Sequence, residues 1–294
     1  MLQPRNLRHI LAATVVVALC TAVLLTQRVT AEGDLPTAKA ETVGMSSKRL
    51  ERVRAFVQEY IDTHQIAGAV TLVARKGKVV HYEAQGMRHK EEQQPMPKDA
   101  LFSLASMTKP IASTALMMLW EEGKFLLDDP ISRWLPSYAN KRVVDTGPGR
   151  LEVAKPVTVR HVLTHTSGLS LTSTSYRGPG PAATTPAKTL GEAIERAAPI
   201  PLAFQPGEKW QYGASTDYVG ILVEKISGMT LDEFFRTRIF EPLGMRDTHY
   251  NVPQDKVSRV AAIYRPDEQG KAVLSVKPQF REPTTYFPGV AGLS

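Results

Sequence analysis

The sequence predicts a mixed α/β (α+β) protein, and three observations carry that prediction. Two β-rich runs, AVTLVAR at 69–75 and KVVHYEA at 78–84, meet at Lys76-Gly77 and read as an antiparallel hairpin. Helical spacing of apolar residues dominates the middle of the chain, from Ile111 to Trp120 and again from Tyr218 to Ile226. No internal repeat and no linker long enough to divide the chain interrupts this order. With 294 residues, 43% of them hydrophobic and 22% charged, the composition is that of a globular protein with one large or two smaller domains.

The chain opens on a basic stretch, MLQPRNLRH, followed by an apolar stretch of sixteen residues, ILAATVVVALCTAVLL, and by Val29-Thr30-Ala31. That is the layout of a cleavable export signal over residues 1–31, since a membrane span takes about 20 residues. The expected location is periplasmic or secreted, with an uncleaved N-terminal anchor or an organellar address as alternatives. Cleavage would remove Cys20, the only cysteine, and with it disulfides, thiol catalysis and thiolate metal sites. It would also remove Arg5, Arg8 and Arg28 and no acidic residue, so the net charge falls from +7 to +4. The remaining charges are interspersed, which argues against a nucleic-acid stripe.

After a short lead over 32–45, Ser46 or Ser47 caps a helix with Leu50, Val53, Val57, Tyr60 and Ile61 on one face. The hairpin follows, then a polar segment, RHKEEQQPMPKDA, leading into LFSLASMTKP and the apolar helix from Ile111. EEGKFLLDDPISRWLP is turn-rich. VTVRHVLTHTSGL predicts a short helix from Thr158, ended by Gly168. Residues 171–190 read as loop. A further helix opens at Ser215 or Thr216 and ends before Gly228, and Thr230 with Glu233 forms a capping box ahead of LDEFFRTRIF.

Within this frame Ser106-Met107-Thr108-Lys109 is the one Ser-x-x-Lys. Residues three apart on a helix are neighbours, so the amine can reach the hydroxyl. A serine becomes nucleophilic when a neighbouring base takes its proton, and a desolvated lysine can do so. The helix N-terminus adds N–H groups that favour developing negative charge. A capping serine beside a snorkelling lysine explains the same letters. Tyr212, in PGEKWQYGAS, precedes a capped helix and could relay a proton across a cleft; packing beneath Trp210 is the competing explanation. No histidine pair or carboxylate cluster suggests a metal, and no P-loop, Gly-x-Ser-x-Gly elbow or dinucleotide fingerprint appears.

Ser106-x-x-Lys109, VLTHTSGL at 162–169 and Pro206-Gly207-x-x-Trp210-x-Tyr212 occur in that order, with DDPISRWLP between the first two. Over residues 42–294 they resemble the class C β-lactamase-related serine hydrolases, which include β-lactamases, DD-peptidases and lactamase-fold esterases. The resemblance implies an antiparallel sheet flanked by helices, with a helical subdomain, over a hydrolase domain spanning 46–294. It implies Ser106 as the acyl-accepting nucleophile, Lys109 as its activating partner and Tyr212 as proton relay, with no cofactor. His165 and Ser167 take structural roles by the same likeness.

Two departures shape the expectation. The family's Tyr-x-Asn is here Tyr212-Gly213-Ala214, which leans toward the esterase branch and leaves Ser215 as a stand-in substrate contact. A third motif (Lys-Thr-Gly or His-x-Gly) belongs on a late strand, yet the sequence closes on FPGVAGLS; it is read as lacking its C-terminal strands and one oxyanion donor, a loss of about 3–4 kcal/mol in transition-state stabilisation. The expected substrate is a small-molecule ester, an amide or a cell-wall peptide, with no nucleic acid and no membrane contact beyond the signal segment. An esterase-like activity is the leading expectation, with β-lactamase or DD-carboxypeptidase chemistry and a non-catalytic penicillin-binding module as its rivals.

Overall fold

The computed structural model describes residues 35–144, 151–169 and 187–294. The expected export segment with Cys20, and residues 171–186 of the expected loop, lie outside the described residues.

Ser46 sits in extended backbone and its hydroxyl accepts the Arg49 N–H at 3.3 Å, opening helix α1 (Ser47–Asp62). Helix α1 packs on an antiparallel sheet of β1 (Gly68–Arg75), β2 (Lys78–His89) and β3 (Gln94–Pro95), hydrogen-bonded in that order. Lys76 and Gly77 turn the hairpin with φ of 53° and 70°, the paired left-handed geometry that suits strand twist. Strand β2 runs five residues past the predicted end because Gln85 and Gly86 still pair with β1 and its last residues pair with β3, where Met87 faces Pro95. A two-residue partner has no periodicity to read.

The core lies between two helices, α2 (Thr108–Glu121) and the later α5. Ala112, Ala115, Leu116 and Leu119 form a buried stripe on α2. The helix begins three residues before Ile111. Pro110 falls in its first turn, where the missing N–H would have had no helical acceptor. Two 3₁₀ turns, Ile131–Arg133 and Pro136–Tyr138, carry the chain to the short hairpin of β4 (Arg142–Val144) and β5 (Leu151–Val153).

Thr158 and His161 close a reciprocal cap on helix α3 (Val159–Leu163). This helix ends five residues before Gly168, because His165 enters the left-handed region with φ of 56°. Helix α4 (Leu190–Ala197) was not foreseen, although Thr189 caps it by accepting the Glu192 N–H at 3.1 Å. Helix α5 (Ser215–Ser227) buries nine consecutive residues, Ser215 to Val223, and stops at left-handed Gly228. Thr230 then caps α6 (Leu231–Phe235), which runs through a π turn into α7 (Glu241–Leu243). A last hairpin pairs β6 (Ile263–Pro266) with β7 (Ala272–Val276).

Lys141 is buried, and its ammonium donates to the Ala198 carbonyl at 2.6 Å and to that of Ile200, just past the end of α4. Burial pulls its pKa from 10.5 to about 8. Between those values the unfolded chain holds a proton that the folded chain has released, so this site's contribution to stability rises with pH across the window and is lost as pH falls through about 8. Lys141→Met should therefore lose stability relative to wild type as urea-unfolding measurements move from pH 8 to pH 10. A difference that stays flat over that range would show that the amine is solvated.

Candidate active site

The nucleophile candidate sits on a strained entry to a helix. Ala105 holds φ of 44°, a left-handed conformation costly for a residue with a Cβ. The 3₁₀ turn Ala105–Met107 leads directly into α2 and presents Ser106 to solvent. One turn on, the Lys109 ammonium donates to Ser106 Oγ at 3.1 Å and to the Val290 carbonyl at 2.9 Å. Lys109 is half-buried rather than sealed from water.

The Val290 carbonyl is a partner that no residue pattern announced. Its own N–H donates to Asp217 Oδ1 at 3.1 Å, and Asp217 is fully buried on α5. Peptide 290 therefore joins a buried carboxylate on α5 to the lysine on α2. Gly289 allows this approach: a Cβ there would lie 2.1 Å from the Thr216 carbonyl oxygen. At the end of the segment, the Leu293 N–H points to Thr108 Oγ1 at 3.4 Å.

Tyr212 reaches the site from the extended stretch before α5. Gly207 N–H donates to the Thr166 carbonyl at 2.8 Å and Gln211 N–H to the His165 carbonyl at 2.9 Å, so the turn after α3 fastens this stretch. The Lys109 Nζ lies 4.7 Å from the Tyr212 ring centroid. Tyr212 remains 52% exposed, with its ring 6.3 Å from that of Trp210, so it is not packed away beneath the indole. The Lys109 amine, and after it the Ser106 hydroxyl, hold the phenol below its usual pKa.

Ser106, Lys109 and Tyr212 thus meet at one place. Ser215 does not join them. It is 1% exposed, and its hydroxyl lies 3.2 Å from Ser167 Oγ, itself buried, so the expected substrate contact is corrected to a core hydrogen bond. Ala214, where the family's amide would stand, is buried as well.

His165, expected in a structural role, lies beside the phenol; its ring stacks on Tyr212 at 5.1 Å and 28°. The expectation that no histidine pair suggests a metal needs correcting, because His161 and His165 are four residues apart, a spacing that holds metals on continuous helices. Here the helix ends between them, and His161 Nδ1 is occupied by the Thr158 N–H at 3.1 Å. Among the described residues no group of three or more His, Cys, Asp or Glu could hold a metal. A cavity of about 440 Å³ between the 250–263 and 276–288 segments contains none of the three converging groups, so chemistry rather than volume marks the site.

Residues 53–293 match the model of the Beta-lactamase family. A Mycobacterium tuberculosis protein is 34% identical over 239 residues, covering 76% of this chain and 57% of that protein. Esterase EstB of Burkholderia gladioli is 32% identical over 267 residues, covering 82% of this chain and 66% of the esterase. Among solved structures, EstCE1, described as a hydrolase with promiscuous acyltransferase activity, superposes with a TM-score of 0.68 at 28% identity, over 83% of this chain and 68% of its own. The chain spans between half and two thirds of the length of these two curated relatives.

Because peptide 290 threads between α2 and α5, Gly289→Ala should push it off α5 and away from the amine. The expected cost is about 1–3 kcal/mol in urea unfolding. Unchanged stability would mean that the segment does not pack against α5 as described.

Proposed function

The chain belongs to the beta-lactamase family of serine hydrolases, and from that premise we propose that it cleaves an ester or amide through an acyl-enzyme on Ser106. The observation that supports this is the convergence of the Ser106 hydroxyl, the Lys109 ammonium and the Tyr212 phenol. The Lys109 Nζ donates to the Val290 carbonyl and lies over the Tyr212 ring. In this reading the lysine acts as an electrostatic anchor and the phenolate of Tyr212, whose pKa is lowered, is the base. Ser106 Oγ attacks the carbonyl as its proton passes to Tyr212. The protonated phenol then delivers that proton to the leaving group, and water releases the acid by the reverse sequence.

We propose an ester as the substrate ahead of a β-lactam or cell-wall peptide. Two features favour it: an amide side chain is missing beyond Tyr212, where Gly213 and Ala214 follow, and EstB and EstCE1 are named as esterase and hydrolase. Export through residues 1–31, ahead of a hydrolase domain over 46–294, belongs to the same reading. Among the described residues no helix is long and apolar enough to cross a membrane.

A fluorophosphonate probe on the full chain should label wild type and leave Ser106→Ala unlabelled; equal labelling of both would remove the nucleophile. A short-chain aryl ester should be hydrolysed well and a chromogenic cephalosporin poorly. Strong cephalosporin turnover with negligible ester cleavage would replace the esterase reading with a β-lactamase, and neither labelling nor turnover would leave a binding module. With a phenolate as base, activity should rise with pH through the lowered Tyr212 pKa, and Tyr212→Phe should lower kcat by about 10²–10⁴. A variant that keeps the alkaline rise would return the role of base to Lys109.

A further inference from the structure

We propose that His165 is a positioning residue that aims the Tyr212 phenol at Ser106 by stacking on its ring. The inference rests on Tyr212 acting as base. Half of the Tyr212 surface faces solvent, and beyond the Lys109 ammonium over its ring and the polar contacts at its hydroxyl, its ring rests on aromatic neighbours. The imidazole of His165 lies 5.1 Å from the phenol ring at 28°, within the range of a favourable offset stack. The same imidazole meets the Trp210 ring edge-on at 6.2 Å. Its backbone carbonyl accepts the Gln211 N–H at 2.9 Å. One residue therefore grips the chain just before Tyr212 and both aromatic rings around it.

That grip depends on an unusual backbone. With φ of 56°, His165 turns back after α3 so that its carbonyl and its ring both face the 210–212 stretch. Histidine tolerates this conformation better than most residues, and so does asparagine. Burial first, and then Lys109, lower the pKa of the His165 imidazole. Its Nδ1 is buried and takes no hydrogen bond among the described residues.

The test is a double-mutant cycle on the full chain, with each variant's kcat for a fluorogenic ester normalised to sites titrated by fluorophosphonate. His165→Asn keeps the left-handed turn and removes the ring; it should lower kcat about tenfold with KM nearly unchanged. His165→Phe restores a ring and should recover part of that loss. In a Tyr212→Phe background, His165→Asn should cost nothing further, because the hydroxyl being aimed is gone. A tenfold cost that persists in that background, or a Phe variant no better than Asn, would overturn the positioning role while leaving Tyr212 in place. Full kcat in Tyr212→Phe alone would instead sink the assignment of the base, and this inference with it.

Discussion

Everything at this site depends on how the charge of Lys109 is compensated. Lysines that leave bulk water usually find a carboxylate, but this ammonium is met by a serine oxygen, a peptide carbonyl and an aromatic face. Neutral partners stabilise a cation without cancelling its field. Hydrogen bonding from the Lys109 amine, then from the Ser106 hydroxyl, depresses the Tyr212 phenol, with the field of the ammonium a smaller addition; at His165 that field adds to burial in lowering the imidazole pKa. A carboxylate in direct contact with Nζ would absorb that field and return the phenol toward its ordinary pKa. The buried acid nearest this network, Asp217, is held one peptide away; it orients Val290 through the N–H and leaves the carbonyl to the lysine.

The fold supplies this arrangement by placing three chain segments at one junction. Helix α2 brings Ser106 and Lys109 together through helical spacing, and α5 packs against it with Asp217 facing inward. The 287–293 segment can lie against α5 because Gly289 has no side chain to strike the Thr216 carbonyl. On the other side, the turn after α3 clips the 207–211 stretch by two backbone hydrogen bonds. Packing between helices thus fixes where these segments lie. The sheet of β1 to β3 contributes none of the three converging groups.

Much of this was legible in the sequence, and the unreadable parts share a cause. Ser106 and Lys109 follow from helical spacing, and Tyr212 from the order of three motifs, because each is specified by residue type at fixed separation. The Val290 carbonyl is invisible to such reading: every residue has a carbonyl, and only the contact reveals its use. His165 was read as structural since its left-handed turn and its stack on a residue 47 positions later depend on tertiary packing. Ser215 was misplaced because the letter following a motif does not say which face of a new helix it occupies, and here it faces Ser167. Helix α4 and the β6–β7 hairpin leave weaker local signals, a Thr-x-x-Glu cap at 189–192 and the Asp267–Gly270 turn.

The absence of an amide beyond Tyr212 bears on the choice between ester and amide substrates. An amide nitrogen leaves only when it is protonated as the bond breaks, so amide cleavage needs a proton donor and substrate tightly aligned with each other. An ester oxygen is a better leaving group and tolerates looser alignment. In the proposed mechanism the proton donor is a half-exposed phenol, and positions 214 and 215, which could have carried a polar contact to the substrate, are both turned into the core. With alignment resting on the aromatic contacts around Tyr212, the geometry suits the less demanding leaving group, and it is on this ground, more than on the names of its relatives, that the ester reading stands.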